Sequence, residues 1–395
     1  MRAGLLILAV LLASPAMAAP AWVGSWATSQ QIPEDRNALP PHALDDATLR
    51  QTVHLSLRGP VLRVRLSNAF GTAPLHITAA HIARAAPGSD AIEPASDTAL
   101  QFAGQSDVTI PAGADYVSDP VSLAGADIAI SLHFDVAPAQ QTSHPGSRTN
   151  SFLLQGNHVS DAALPGAMKF DHWFTIAGID VQSPRGGAVV ALGDSITDGR
   201  GSTTNGNDRW TDALAQLLAA AKLQVGVLNQ GIGGGHVLLD GLGPNAMSRF
   251  DRDVLAQPGA RWLIVFEAIN DIGTFDPDGS KPKPPHDELV RQLTTAYGQM
   301  IAKAHDAGIK VYGATITPFM DCAPYHPKAI TEADRVAVNA WIRAHFDAVL
   351  DFDAVARDPA RPDHLSPAYD SGDGLHLSPA GYRALAAAIP LSLLQ

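Results

Sequence analysis

The sequence predicts a chain of two unlike parts: an antiparallel β sandwich followed by a doubly wound α/β layer with a parallel sheet. Three observations carry this. From about residue 21 to 180, apolar residues recur with a period of two between clusters of Gly, Pro, Asn and Asp. After "QSPRGG", residues 182–187, the rhythm changes to short continuous apolar runs alternating with helical stretches. The length, 395 residues, exceeds one ordinary domain and suits two. The seam is expected at residues 181–187, dividing the chain into 19–181 and 187–395.

Taken in order, "MRAGLLILAVLLASPAMA" sets one Arg before a short apolar run and small residues at Ala16 and Ala18. It reads as a secretory signal peptide cut after Ala18, with the mature protein exported and soluble. The run is shorter than the ~20 residues needed to span a bilayer. In "DIAISLHFDV", Ile128, Ile130, Leu132 and Phe134 fall on one side of a strand, and Ser131, His133 and Asp135 on the other. "VLRVRLSN" alternates Leu62, Val64 and Leu66 with Arg63 and Arg65, which read as a solvated face. "LRQTVHLSL" and "PLHITAAHI" behave similarly. Trp22 and Trp26 read as packed core aromatics, with stacking on sugars as the alternative.

In the second part "AVVAL", "VGVLN", "WLIVF" and "KVYGATIT" read as parallel strands covered on both faces. Trp210, Ala213, Leu214, Leu217, Leu218 and Ala221 recur at helical spacing, as do Leu289, Leu293, Tyr297, Met300, Ile301 and Ala304. "EADRVAVNAWIRAHF" predicts a further helix. A last one opens at Ser378-Pro379, with Ser as N-cap and Pro at the first helical position.

Composition narrows the function. A formal net charge of −12 argues against nucleic acid or an anionic membrane as partner. Hydrophobic content of 46% and charged content of 17% fit a soluble globular protein. Cys322 is the sole cysteine, so no internal disulfide is possible, and it reads as a small apolar filler. No H-E-x-x-H or Cys/His cluster suggests a metal. "GIGGG" lacks the closing Gly-Lys-Ser/Thr of a phosphate loop and the dinucleotide-binding spacing. G-x-S-x-G is absent, which argues against the α/β-hydrolase nucleophile elbow.

In an open parallel sheet, ligands sit beyond the carboxyl ends of the strands. After "AVVAL" come Gly193, Asp194 and Ser195; after "VGVLN" comes "QGIGGGH"; after "WLIVF" comes "EAINDIG"; before the last helix comes "GDGLHLSPAGY". Each has a plain reading alone: Ser195 as a helix cap, Asn270 as a turn residue, Asp373 and His376 as a capping pair. Together they bring a hydroxyl, an imidazole, a carboxylate and amide donors to one rim. A serine hydroxyl needs a base to take its proton, and an unperturbed imidazole suits that work near neutrality. Asp373, three residues before His376, is close enough in a turn to bond its Nδ1–H. Asp194 is expected to hydrogen-bond nearby backbone; Asp198 and His236 are left as substrate or structural contacts.

"GDSITDG", "NQGIGGG", "AINDIG" and "DGLH" resemble, in order and spacing, the blocks of the SGNH (GDSL) hydrolase superfamily over residues 187–395. The resemblance implies a three-layer α/β/α domain with Ser195 as nucleophile, His376 as base and Asp373 as its orienter. It implies an oxyanion hole from the N–H groups of Ser195 and Gly234, the latter closing the stretch that opens at Asn229, and the side-chain amide of Asn270. Ala268 departs from the usual Gly of its block and is expected to crowd that turn slightly. "WVGSWATSQQ" and "VRLSNAFG" resemble segments preceding the hydrolase domain in exported SGNH enzymes acting on plant-polysaccharide acetyl esters. The expectation is an exported ester hydrolase, free of cofactor and metal, removing acetyl groups from carbohydrate. A lipase, arylesterase or thioesterase of the same superfamily, or a glycan-binding protein with an inactive hydrolase domain, are the alternatives.

Overall fold

A computed structural model describes residues 22–395; the leader read at residues 1–18 lies outside the described residues. The β-rich part contains two larger antiparallel sheets and two two-stranded ones, Leu75–Ile77 with Val108–Ile110 and Ser143–His144 with Trp173–Phe174. One of the larger sheets runs in the order Trp22–Ala27, Ile176–Gln182, Val61–Ser67, Asp115–Val117, with Val121–Ser122 also on Val61–Ser67. The other orders Met168–Phe170, Ser151–Gln155, Ala47–His54, Asp127–Phe134, Ala79–Arg84 and Thr98–Ala99. In its centre Ile130 sits between Gln51 and Ile82.

The period of two does sort the apolar side chains, yet the polar side of Asp127–Phe134 is buried as well. Ser131 accepts a bond from Arg50 Nε at 2.8 Å. Arg50 is itself fully buried, and its guanidinium is satisfied by the carbonyls of Asp90, His158, Val159 and Asp161. The solvated face expected for Arg63 and Arg65 is not found. Both guanidinium groups turn onto the fully buried Asp180, at 2.9 and 3.3 Å. Arg65 also reaches Gln257 of the second part at 2.7 Å. A strand pattern identifies the face but not the carboxylate waiting there from a distant segment. Trp26 is core, edge-on to Trp173 at 4.9 Å, whereas Trp22 lies under the Arg63 guanidinium at 4.5 Å.

The second part carries five parallel strands in the order Val225–Gly231, Gly187–Gly193, Ala260–Phe266, Lys310–Ala314, Ala348–Leu350. Its helices are α1 (Ser195–Asp198), α2 (Trp210–Ala220), α3 (Ala246–Phe250), α4 (Ile269–Gly273), α5 (Lys283–Asp306), α6 (Ala329–His345), α7 (Phe352–Ala356) and α8 (Pro379–Ala387). Among them α2 packs on α8, and α5 on α6. Trp210 and Phe352 are fully buried, 5.8 Å apart. The Ser378 hydroxyl caps α8 through Gly381 N–H.

The seam is closely packed. Strand Val225–Gly231 is the outer edge of the parallel sheet, and unpaired edges invite association. Here Ser56 Oγ accepts from Val227 N–H at 2.8 Å, and Gly226 lies so close to the Gly24 carbonyl that a methyl group would be 2.0 Å from its oxygen. One hydrophobic cluster includes residues of both parts.

Candidate active site

Strand Gly187–Gly193 has neighbours on both sides, and its partners' crossovers leave in opposite directions. This is the topological switch point, where a crevice opens beyond the strand ends. The chain turns there at Asp194, whose carboxylate caps α1 by accepting from Ile196 N–H at 2.8 Å. Ser195 begins the helix. Gly199 ends it at φ 102°, a left-handed conformation that suits glycine. Gly231, at the end of the neighbouring strand, is required by close approach: a methyl group there would stand 2.2 Å from Asp198 N. Asn229 fastens the same contact by donating to Thr197 O at 2.7 Å. The buried Arg249 donates to Gly193 O and Gln230 O, holding the two strand ends together.

Ser195 Oγ stands 2.7 Å from His376 Nε2, although 181 residues separate them. His376 Nδ1 stands 2.7 Å from Asp373 Oδ2. The other carboxylate oxygen of Asp373 accepts from the N–H groups of His376 and Leu375, at 2.8 and 3.1 Å. Burial pushes the Asp373 carboxyl up, but the His376 imidazole and these two N–H groups prevail and hold it far below the ordinary range. It is therefore a permanent acceptor that leaves Nε2 free to accept from the serine hydroxyl.

Beside this line, the Gly234 N–H and the Ser195 N–H have no protein acceptor among the described residues. Gly234 takes φ 66°, which glycine allows. Gly235 lies against the nucleophile turn, since a methyl group there would be 3.6 Å from Asp194 Cα. Asn270 is buried and donates through Nδ2 to Gly235 O at 2.6 Å. That amide nitrogen carries a second hydrogen. The Tyr325 hydroxyl donates to Asn270 Oδ1 at 2.5 Å, fixing which end of the amide faces the loop. Burial pushes the Tyr325 phenol above its ordinary value, so it remains a donor. Ala268, before α4, is buried at φ 92°. The departure from glycine therefore acts through backbone conformation, more than through the crowding expected of the methyl group.

Behind the loop lies a group of buried carboxyls. Burial, aided by the Asp271 charge, pushes Asp194 up to about 7 against the pull of Ile196 N–H. Glu267 is 1% exposed, and neither carboxyl oxygen has a hydrogen-bond partner among the described residues. Burial, with Asp194 nearby, raises it well above the usual range. Asp271 accepts from Val237 and Leu238 N–H and so anchors the loop that follows Gly234.

Of the residues singled out in the sequence, the structure gathers Ser195, Asp373 and His376 in one hydrogen-bonded line and brings Asn270 onto the loop of Gly234. Asp194 bonds nearby backbone as expected. Asp198 is structural, its carboxylate 2.9 Å from His144 Nε2 of the β-rich part. His236 bridges to Thr274 Oγ1 at 3.3 Å. Cys322 is buried, and burial pushes its thiol up, away from nucleophilic use. Tyr325 and Arg249 fall in no periodic run or block of spaced polar residues, and Glu267 opens "EAINDIG" with no sign there of its burial. Among the described residues no group of three or more His, Cys, Asp or Glu is placed to hold a metal ion. No helix there is long and apolar enough to cross a membrane.

Comparison with known proteins shows what the chain is similar to. Similar solved structures include a GDSL-like lipase from Bacteroides thetaiotaomicron VPI-5482, 18% identical over 52% of this chain and 87% of that one, with a TM-score of 0.38. A lipase/acylhydrolase from Enterococcus faecalis is 20% identical over 51% and 92%, with a TM-score of 0.39. An acetyl xylan esterase from Geobacillus stearothermophilus is 22% identical over 51% and 92%, with a TM-score of 0.37. No curated protein matches the chain. The model of the GDSL-like lipase/acylhydrolase family matches residues 191–384, so the α/β half of this chain is similar to that family.

Proposed function

We propose that the protein is an exported serine ester hydrolase that removes short acyl groups, acetyl foremost, from carbohydrate. The observation that carries the reading is the pair of 2.7 Å contacts linking Ser195, His376 and Asp373 at the switch point of the sheet. In this mechanism Ser195 Oγ attacks the ester carbonyl while its proton passes to His376 Nε2. Asp373 holds the imidazole by its Nδ1–H and stabilises the imidazolium. The carbonyl oxygen becomes an oxyanion and receives the N–H groups of Ser195 and Gly234 and the free amide hydrogen of Asn270. Collapse expels the alcohol, which takes the proton from His376. Water, deprotonated by the same base, then releases the acid and restores the serine.

The preference for carbohydrate is supported by a polar cleft lined by Asp198, Arg200 and Gly233, whose far wall belongs to the β-rich part. We assign the described β-rich residues, 22–181, to that wall, more than to an independent glycan-binding module. A second reading has its own support: Ile32, Leu239 and Leu242 are exposed apolar side chains, and Leu242 lies next to Gly234. This lip suits aryl or longer acyl esters, and an acyl-chain-length series decides between the two. For the chemistry itself, Ser195→Ala should abolish p-nitrophenyl acetate turnover with the circular dichroism spectrum intact. Undiminished turnover by that variant rejects the mechanism.

A further inference from the structure

The polar cleft has a volume of about 300 Å³, at the small end of ligand-sized pockets. Its floor comes from the α/β part. Arg200 follows α1 and donates its N–H to Ser195 O at 2.8 Å, while Gly233 precedes Gly234. Its opposite wall is the segment Pro145–Arg148 with His172. The cleft thus adjoins the Ser195 turn through Arg200 and the Gly234 loop through Gly233.

The charges in the cleft are unevenly satisfied. Glu34 is engaged by Arg36 at 3.6 Å and by Asn37 at 2.8 Å, and Asp198 by His144. His172 spends its Nδ1 on Pro145 O at 2.7 Å. By contrast, neither the Arg148 nor the Arg200 guanidinium has a hydrogen-bond or ion-pair partner among the described residues, and Arg148 Nε is buried without one. One carboxylate in the cleft, Asp171, is equally unengaged among the described residues. Both arginines line this one cleft, Arg148 from the β-rich wall and Arg200 from the α/β floor.

Arg148 is also held in place at a cost. Its φ of 50° lies in the left-handed region that non-glycine residues avoid. The turn is fixed from the α/β side, where Asn205 N–H donates to Arg148 O at 2.8 Å and Arg209 donates to Ser147 O. A fold that leaves two guanidinium groups unpaired in one cleft, one of them strained into position, has the parts of an anion site. A guanidinium offers parallel N–H donors that match a carboxylate or phosphate.

Building on the ester-hydrolase reading above, we infer that the alcohol half of the substrate carries an anionic group, a sugar carboxylate or phosphate, bound by Arg148 and Arg200. Asp171 is left to accept from neighbouring sugar hydroxyls.

The test compares three esters matched in acetyl position: an O-acetyl galactoside, the corresponding uronate and the corresponding sugar phosphate. The wild-type protein should favour the uronate or the phosphate over the neutral ester in kcat/KM by on the order of 10–100-fold, the range of one or two charge-assisted bonds. Which of the two leads identifies the anion. The preference should shrink between low and high salt. Arg200→Gln and Arg148→Gln should each lower the anionic-to-neutral ratio about tenfold, and Arg200→Lys should restore part of it. Because Arg200 is exposed, its variants separate binding from folding. Equal turnover of all three esters by the wild type, or variants that lower all three alike, overturns the anion site while leaving the carbohydrate esterase standing. Cleavage of none of them, with Ser195-dependent p-nitrophenyl acetate turnover intact, removes the carbohydrate reading and this site together.

Discussion

Replacing Tyr325 by Phe isolates the orientation of an oxyanion donor from the donor itself. The Asn270 amide has one hydrogen on Gly235 O and its oxygen under the Tyr325 hydroxyl. Removing that hydroxyl leaves a buried amide oxygen without its partner and lets the amide tilt. One uncharged hydrogen bond contributes about 0.5–1.5 kcal/mol. If all of that is felt in the transition state, kcat falls by about 2–12-fold, since 1.36 kcal/mol is tenfold in rate. Asn270→Ala removes the donor and should cost about 10²–10³. Both follow from p-nitrophenyl acetate kinetics under saturating conditions, with the melting temperature measured alongside. The loss in Tyr325→Phe should fall on kcat more than on KM, because the oxyanion exists only in the transition state. Gly273→Ala should mimic it, as its methyl group would stand 2.3 Å from the Tyr325 ring. A Tyr325→Phe variant as crippled as Asn270→Ala would make the phenol itself the donor and refute the positioning argument. Full activity would show that the amide needs no help.

Glu267→Gln should raise the melting temperature by an amount that grows as pH climbs above 4.5. Folding raises this carboxyl's pKa, so the unfolded chain loses its proton first and wild-type stability declines as pH climbs above that value; a gap between variant and wild type that does not grow with pH counts against it. His144→Ala strips the buried Asp198 carboxylate of its partner and should cost about 3–5 kcal/mol in urea unfolding. Adding Asp198→Asn should recover part of that, and strict additivity would deny the pair. Ala268→Gly relieves a left-handed backbone worth about 1–2 kcal/mol, offset by about 0.5–1 kcal/mol of extra freedom in the unfolded chain. It should therefore melt about 1 °C higher with activity retained, and a lower melting temperature contradicts the strain.

The parallel strands and the helices α2, α5, α6 and α8 were legible because each repeats one physical requirement many times: a covered strand is apolar throughout, and a helix buries every third or fourth residue. The residues of the candidate site were legible for a different reason. They cluster where strands end, and their order carries the family pattern. What stayed hidden depends on single long-range meetings. Arg63 and Arg65 look solvated until Asp180, more than a hundred residues away, folds beneath them. Tyr325 sits in "DCAPYHP", which has no period at all. Arg148 becomes notable only when its backbone angle and the emptiness around its side chain are seen together.

The hydrogen bond from His144 to the helix of Ser195, and the serine that seals the flank of the parallel sheet, tie the turn of Ser195 to both halves. A fragment cut at the apparent seam would keep every residue of the proposed site. It would also bare a raw strand to its siblings and leave a carboxylate without its imidazole beneath that turn, a liability the whole chain avoids.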